Sequence, residues 1–140
     1  MSTAYSLASQ QHGAAMWVND PLGDPGMCHV LVIEDEALVA MMIEDSLVEH
    51  GATSVDVAAS EAEAVEAAKV HRPDFITSDV RLLEGTGPGA VAAIVRLYGD
   101  IPVLFITASP GECTDYVPEA VMPKPANPRE IGLRFRALQS

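Results

Sequence analysis

From residue 29 onward, short apolar runs alternate with segments of helical period, and this alternation limits the fold more than any other feature of the chain. Residues 30–33, "VLVI", form a continuous apolar run, which suits a strand buried on both faces. In "EALVAMMIEDSLVEHG" the apolar positions Val39, Met42 or Ile43, and Leu47 recur at helical spacing, and Gly51 supplies a stop. "SVDVAA" reads as a second, weaker strand. "SEAEAVEAAKVH" opens with Ser60 and Glu63 at capping-box spacing and continues as Ala-rich helix. "DFITSD" is a third strand. "PGAVAAIVRLY" sets Val91, Ile94, Val95 and Tyr98 on one helical face, with Pro88 near its start. "IPVLFIT" is a fourth strand and "EAVM" a short fifth. "NPREIGLRFRALQ" has Asn127 as N-cap, Pro128 at the first helical position, and an apolar face of Ile131, Phe135 and Leu138.

Strands that alternate with helices give a parallel sheet covered on both faces. The expected fold is α/β: a flavodoxin-like, doubly wound sheet of five parallel strands in the order 2-1-3-4-5. The segment between the fourth and fifth strands is broken by Pro110, Gly111, Pro118 and Pro123. Only residues 112–117 are left for a helix there, about one and a half turns at ~3.6 residues each. A reduced or irregular fourth helix is expected.

Residues 1–27 are rich in Ser, Ala, Gly, Gln and Pro and read as a flexible tail or linker, with one domain over 28–140. Trp17 offers a docking point for part of it. This opening has no Lys or Arg before an apolar run, so it lacks the charged start of a secretory signal. No apolar run approaches the ~20 residues of a membrane span. The formal net charge of −12 disfavours nucleic acid and anionic membrane as partners. Cys28 and Cys113 form no CxxC pair, and unreactive thiols in a reducing compartment are expected. A cytoplasmic protein follows. The histidines, at positions 12, 29, 50 and 71, show no ligand spacing and receive no role.

In such sheets ligands sit at the carboxyl ends of the strands. Strand one ends at Glu34-Asp35, strand three at Asp79 and strand four at Thr107-Ala108-Ser109; Lys124 follows strand five. Lys124 is one of only two lysines. Three carboxylates at close range repel one another and call for a cation, and Mg²⁺ suits oxygen ligands of this kind. A carboxylate, Mg²⁺, a hydroxyl and an ammonium together can stabilise a phosphoryl group in transfer. Asp79 is central and is the natural nucleophile. Each piece alone has a plainer reading: an acidic pair starting a helix, a structural Thr, a surface Lys. Their placement on four strand ends gives the set its meaning.

"VLVIEDE", "ITSDVRL", "VLFITAS" and "MPKPAN", in this order, resemble the receiver domains of two-component response regulators. The likeness covers about residues 29–138 and is similar in detail to single-domain receivers of alphaproteobacterial stress and light-sensing pathways. The resemblance implies Asp79 as phosphoacceptor, with Thr107 and Lys124 on the phosphoryl oxygens. It implies Asp35 as a direct Mg²⁺ ligand, Glu34 assisting through water or in its place, and the Arg81 backbone carbonyl as a further ligand. A small Ala108 leaves the phosphoryl room. It also implies a cis bond before Pro125 and a sensor histidine kinase as phosphodonor.

The pattern departs from the family where an aromatic switch residue is usual, since Val121 stands there, and where Phe usually follows Lys-Pro, since Ala126 stands there. Arg81 is expected to pair with Glu84 at the surface, the alternative being that it shields the acyl phosphate. The expected function is a stand-alone response regulator and not an enzyme, with weak self-phosphorylation from small donors and autodephosphorylation. Output is expected through a downstream or phosphotransfer partner, as a phosphate sink, or by kinase feedback. The alternative is a receiver-like binding module that works without phosphorylation. A haloacid-dehalogenase-type phosphatase needs its Asp-x-Asp on the first strand, whereas this chain has Asp79-Val80-Arg81 on the third. A flavin or nucleotide binder needs a Gly- or Ser-rich first loop, and Glu-Asp-Glu stands there instead.

Overall fold

The computed structural model describes residues 27–139; the tail reading, with Trp17 and His12, lies outside them. Five strands carry the core: β1 (His29–Ile33), β2 (Ser54–Ala58), β3 (Phe75–Ser78), β4 (Val103–Thr107) and β5 (Val121–Pro123). All neighbours run parallel, in the order β2-β1-β3-β4-β5. This is the flavodoxin-like arrangement that the alternation predicts. The central strands β1 and β3 are buried at every residue, as expected where both faces are covered.

Four helices cover the sheet: α1 (Ala37–Glu49), α2 (Glu61–Val70), α3 (Gly87–Tyr98) and α4 (Pro128–Gln139). Strand alternation sorts the core into two layers. Val30 and Val32 face one side with Ile43, Leu47, Ile131 and Phe135. Leu31 and Ile33 face the other with Ala64, Ala68, Val91 and Ile94. Phe75 and Phe135 meet edge to face, with ring centroids 4.9 Å apart.

The helix starts follow local chemistry. Ser60 Oγ accepts from Glu63 N at 3.1 Å, and Glu63 Oε1 accepts from Ala59 N at 2.9 Å, so the box closes one residue before the cap. Asn127 Oδ1 accepts from Arg129 N at 2.8 Å and from Glu130 N at 3.3 Å. Thr86 caps α3 through Gly89 N.

Two sequence expectations need correction. The β4–β5 connection has no α-helix; its helical turns are 3₁₀, at Pro110–Glu112 and Pro118–Ala120, and not over 112–117. Pro110 and Pro118 each start a turn, while Thr114 and Asp115 between them are weak helix formers. The second 3₁₀ turn takes in Glu119 and Ala120, so the fifth strand begins at Val121. Among the described residues, no helix is long and apolar enough to cross a membrane.

Candidate functional site

The acidic pair sits where β1 hands over to α1. Glu34 N donates to Ala58 O and Asp79 N donates to Ile33 O, both at 2.9 Å, which draws the ends of β1, β2 and β3 together. Oxygens of Glu34, Asp35 and Asp79 consequently lie within 4.8 Å of one another. Thr107 ends β4. Lys124 N donates to Thr107 O at 2.9 Å, which anchors Lys124 beside that strand end. The Lys124-Pro125 bond is cis, as the resemblance implies. Asp35, Asp79, Arg81, Thr107, Ala108 and Lys124 all line one open cleft.

Within this cleft the charges interlock. Lys124 Nζ donates to Asp79 Oδ2 at 2.8 Å and lies 3.0 Å from Glu34 Oε1 and 3.2 Å from Glu36 Oε1. Asp79 Oδ1 accepts from Val80 N at 2.7 Å. Burial works to lower the Lys124 pKa, but the hydrogen bonds and charges of Asp79 and Glu34 override it and push the ammonium above its ordinary range. Glu34 is only 2% exposed. Desolvation raises its pKa, against the opposing pull of Lys124. Glu34 Oε1 makes the ion-pair contact yet has no aligned hydrogen bond among the described residues. A buried carboxylate oxygen left in that condition beside two more carboxylates fits a divalent cation with oxygen ligands.

Asp35 Oδ2 accepts from Leu83 N at 2.7 Å, tying the acidic pair to the loop after β3. Thr107 Oγ1 accepts from Ser109 N at 2.9 Å, and its own proton remains to be donated. The expected Arg81–Glu84 pair does not form. Arg81 instead makes a two-point ion pair with Glu112 in the β4–β5 connection, with Nε 3.2 Å from Oε1 and the second guanidinium nitrogen on Oε2. That pair raises the Arg81 pKa and lowers that of Glu112.

Three contributors escape sequence reasoning. Gly87 carries no chemistry, yet a Cβ there would lie 1.8 Å from the Asp79 carbonyl oxygen, so only glycine lets α3 start against the end of β3. Glu61 Oε1 accepts from Thr86 N at 2.9 Å and steadies the loop after Asp79. Glu36, placed at the α1 N-cap, adds a third acid to Lys124. "TGPG" carried a faint signal for Gly87; the other two depend on tertiary position.

Residues 30–133 match the family model described as response regulator receiver domain. The chain belongs to the response regulator receiver family. The phyllosphere-induced regulator PhyR of Methylorubrum extorquens is 35% identical over 109 residues, which is 73% of this chain and 40% of PhyR. The chain thus spans well under half of that relative's length. The chemotaxis protein CheY of Bacillus subtilis is 35% identical over 83 residues, covering 59% of this chain and 69% of CheY. The solution structure of the Erythrobacter litoralis PhyR response regulator REC domain superposes with a TM-score of 0.74 at 30% identity, covering 81% of this chain and 90% of that one. The crystal structure of anti-anti-sigma factor PhyR from Bartonella quintana gives 0.70 at 33% identity, over 81% of this chain and 48% of that one.

As a receiver, the chain places Val121 half-buried against the α2/α3 layer and Ala126 half-buried against the α1/α4 layer. Tyr116, within the β4–β5 connection, packs its ring on Phe105 of β4, with centroids 4.5 Å apart.

Proposed function

We propose that the chain accepts a phosphoryl group on Asp79 from a phosphohistidine of a sensor kinase, in a Mg²⁺-dependent reaction, and signals through a protein partner. The observation that carries this reading is the convergence of Glu34, Asp35 and Asp79 with Lys124 at the carboxyl ends of the strands. Glu34, Asp35, Asp79 and the Arg81 carbonyl are the residues to hold Mg²⁺, which supplies positive charge to the phosphoryl oxygens. A carboxylate oxygen of Asp79 attacks phosphorus while the histidine N–P bond breaks. Lys124 is already on the Asp79 carboxylate and follows the charge onto the phosphoryl group. Thr107 donates its hydroxyl proton to a phosphoryl oxygen. Ala108 is exposed in the cleft and small enough to leave room.

The output step uses the β4–β5 connection, which the Arg81–Glu112 pair ties to the phosphoacceptor loop. Phosphorylation reorders this segment, an order–disorder type of switch. One solved relative is described as an anti-anti-sigma factor, which supports partner binding as the mode of output here. Phosphotransfer from a labelled histidine kinase tests the reading. Label moves to the wild-type chain in Mg²⁺ and not to Asp79→Asn. Amide exchange across residues 108–121, with and without a phosphoryl mimic, tests the switch, and unchanged protection there counts against it.

A further inference from the structure

A second group of metal-capable side chains lies at the opposite end of the sheet. His29 opens β1, Asp56 lies on the edge strand β2, and His71 follows the last turn of α2. Forty-two positions separate the two histidines in the sequence (71 − 29), yet their rings stack with centroids 3.5 Å apart and planes 5° from parallel. One potential ligand atom from each of His29, Asp56 and His71 lies within 4.8 Å of the others. The phosphoacceptor end of β1 is four residues away, about 13 Å at ~3.3 Å per residue.

His29 is held from several sides. The ring is 4% exposed. Its Nδ1 lies 2.6 Å from Ser54 Oγ, and its Nε2 lies 3.0 Å from Asp56 Oδ2. Its backbone is clamped by Asp74, with His29 N donating to Asp74 Oδ2 at 2.9 Å and Asp74 N donating to His29 O at 2.7 Å. Without an ion, Ser54 donates to Nδ1 and Nε2–H donates to Asp56. In the other tautomer, which donates from Nδ1 to Ser54, the Nε2 lone pair faces the Asp56 carboxylate and the two acceptors take a cation between them. A metal-bound histidine ordinarily donates its other ring N–H in this way.

We propose that His29, Asp56 and His71 form a Zn²⁺ site. Two imidazoles and one carboxylate are a donor set Zn²⁺ takes at ~2.0–2.2 Å, with water in the fourth tetrahedral position. Ligand atoms around such an ion are about 3.3 Å apart, so His29 Nε2 and Asp56 Oδ2, now 3.0 Å apart, open slightly while the His71 nitrogen closes on them. His71 makes the adjustment: it is exposed at the helix end and tilts out of the stack to turn a nitrogen toward Asp56. The bound ion ties the edge strand β2 and the end of α2 to the start of β1. Its position, remote from Asp79, makes it a structural or metal-sensing site that does not take part in phosphoryl transfer.

The test is a Zn²⁺ titration of the untagged full chain against a chromophoric chelator, with millimolar Mg²⁺ present to occupy the acidic cleft. Wild type takes up one equivalent. His71→Ala and Asp56→Asn each weaken binding tenfold or more, while Asp35→Asn in the cleft and His12→Ala in the tail bind as wild type does. Because His71 is exposed, His71→Ala keeps the fold, and circular dichroism checks this. Zn²⁺ raises the melting temperature of wild type and not that of His71→Ala. Absence of Zn²⁺ uptake by wild type, or equal uptake by His71→Ala, overturns the proposal.

Discussion

Lys124 Nζ sits 2.8 Å from Asp79 Oδ2 and, on its other side, 3.0 Å from Glu34 Oε1, so one ammonium separates two buried carboxylates. Removing one partner of a buried ion pair costs about 3–5 kcal/mol. This cleft opens to solvent, so Lys124→Ala is expected to lose an amount near the lower end, about 3 kcal/mol. Mg²⁺ then substitutes for the missing charge. Urea unfolding with and without Mg²⁺ checks this: the ion stabilises Lys124→Ala more than it stabilises wild type.

Gly87 fixes the same carboxylate from behind. A Cβ at Gly87 meets the Asp79 carbonyl oxygen at 1.8 Å and Ser78 Oγ at 2.3 Å, and backbone cannot yield as a flexible side chain does. Gly87→Ala is expected to cost about 2–3 kcal/mol as an overpacking change and to slow phosphoryl acceptance. Gly111→Ala is the control, since a Cβ there meets open space. Thermal melts and phosphorylation rates of the two variants separate strain at the site from a general loss of glycine.

Thr77 Oγ1 is buried with no hydrogen-bond partner among the described residues. Burying a hydroxyl without a partner costs about 1–3 kcal/mol. Thr77→Val keeps the branched shape and removes the polar atom. It is expected to raise stability by about 1 kcal/mol, read from the urea midpoint at unchanged slope.

Cys28 is held as a thiol. Burial, reinforced by the charge of Asp74, pushes its pKa up to about 11 against a small opposing effect of its contact with Gln139. At pH 8 its thiolate fraction is about 100-fold below that of an ordinary thiol. Its alkylation rate, followed by peptide mass mapping, is expected to keep climbing from pH 8 to pH 10.5, where an exposed cysteine levels off.

Much of the fold and most of the site residues are legible in the sequence because both follow from strand ends. "VLVI" is apolar throughout because β1 is covered on both faces, and the cover thins only after the buried Glu34, at Asp35. Asp79, Thr107 and Lys124 fall into the same cleft once the order of the strands is right. Contacts set by loop path were not legible. Arg81 has Glu84 nearby in sequence, but the turn through Gly85, at φ 84°, takes the chain elsewhere, and Glu112 arrives from another strand end. Residues 112–117 have helical length without helical composition, and the helical turns form at Pro110–Glu112 and Pro118–Ala120 instead. His29 and His71 lie on different elements, and no periodicity relates them.

Intact mass after incubation with a small phosphodonor, with and without Mg²⁺, on wild type and Asp79→Asn, tests the central claim most directly. The account predicts one added phosphoryl group on wild type in Mg²⁺, none without the ion, and none on Asp79→Asn. A wild-type mass that stays unmodified in Mg²⁺, or an equal adduct on Asp79→Asn, contradicts it.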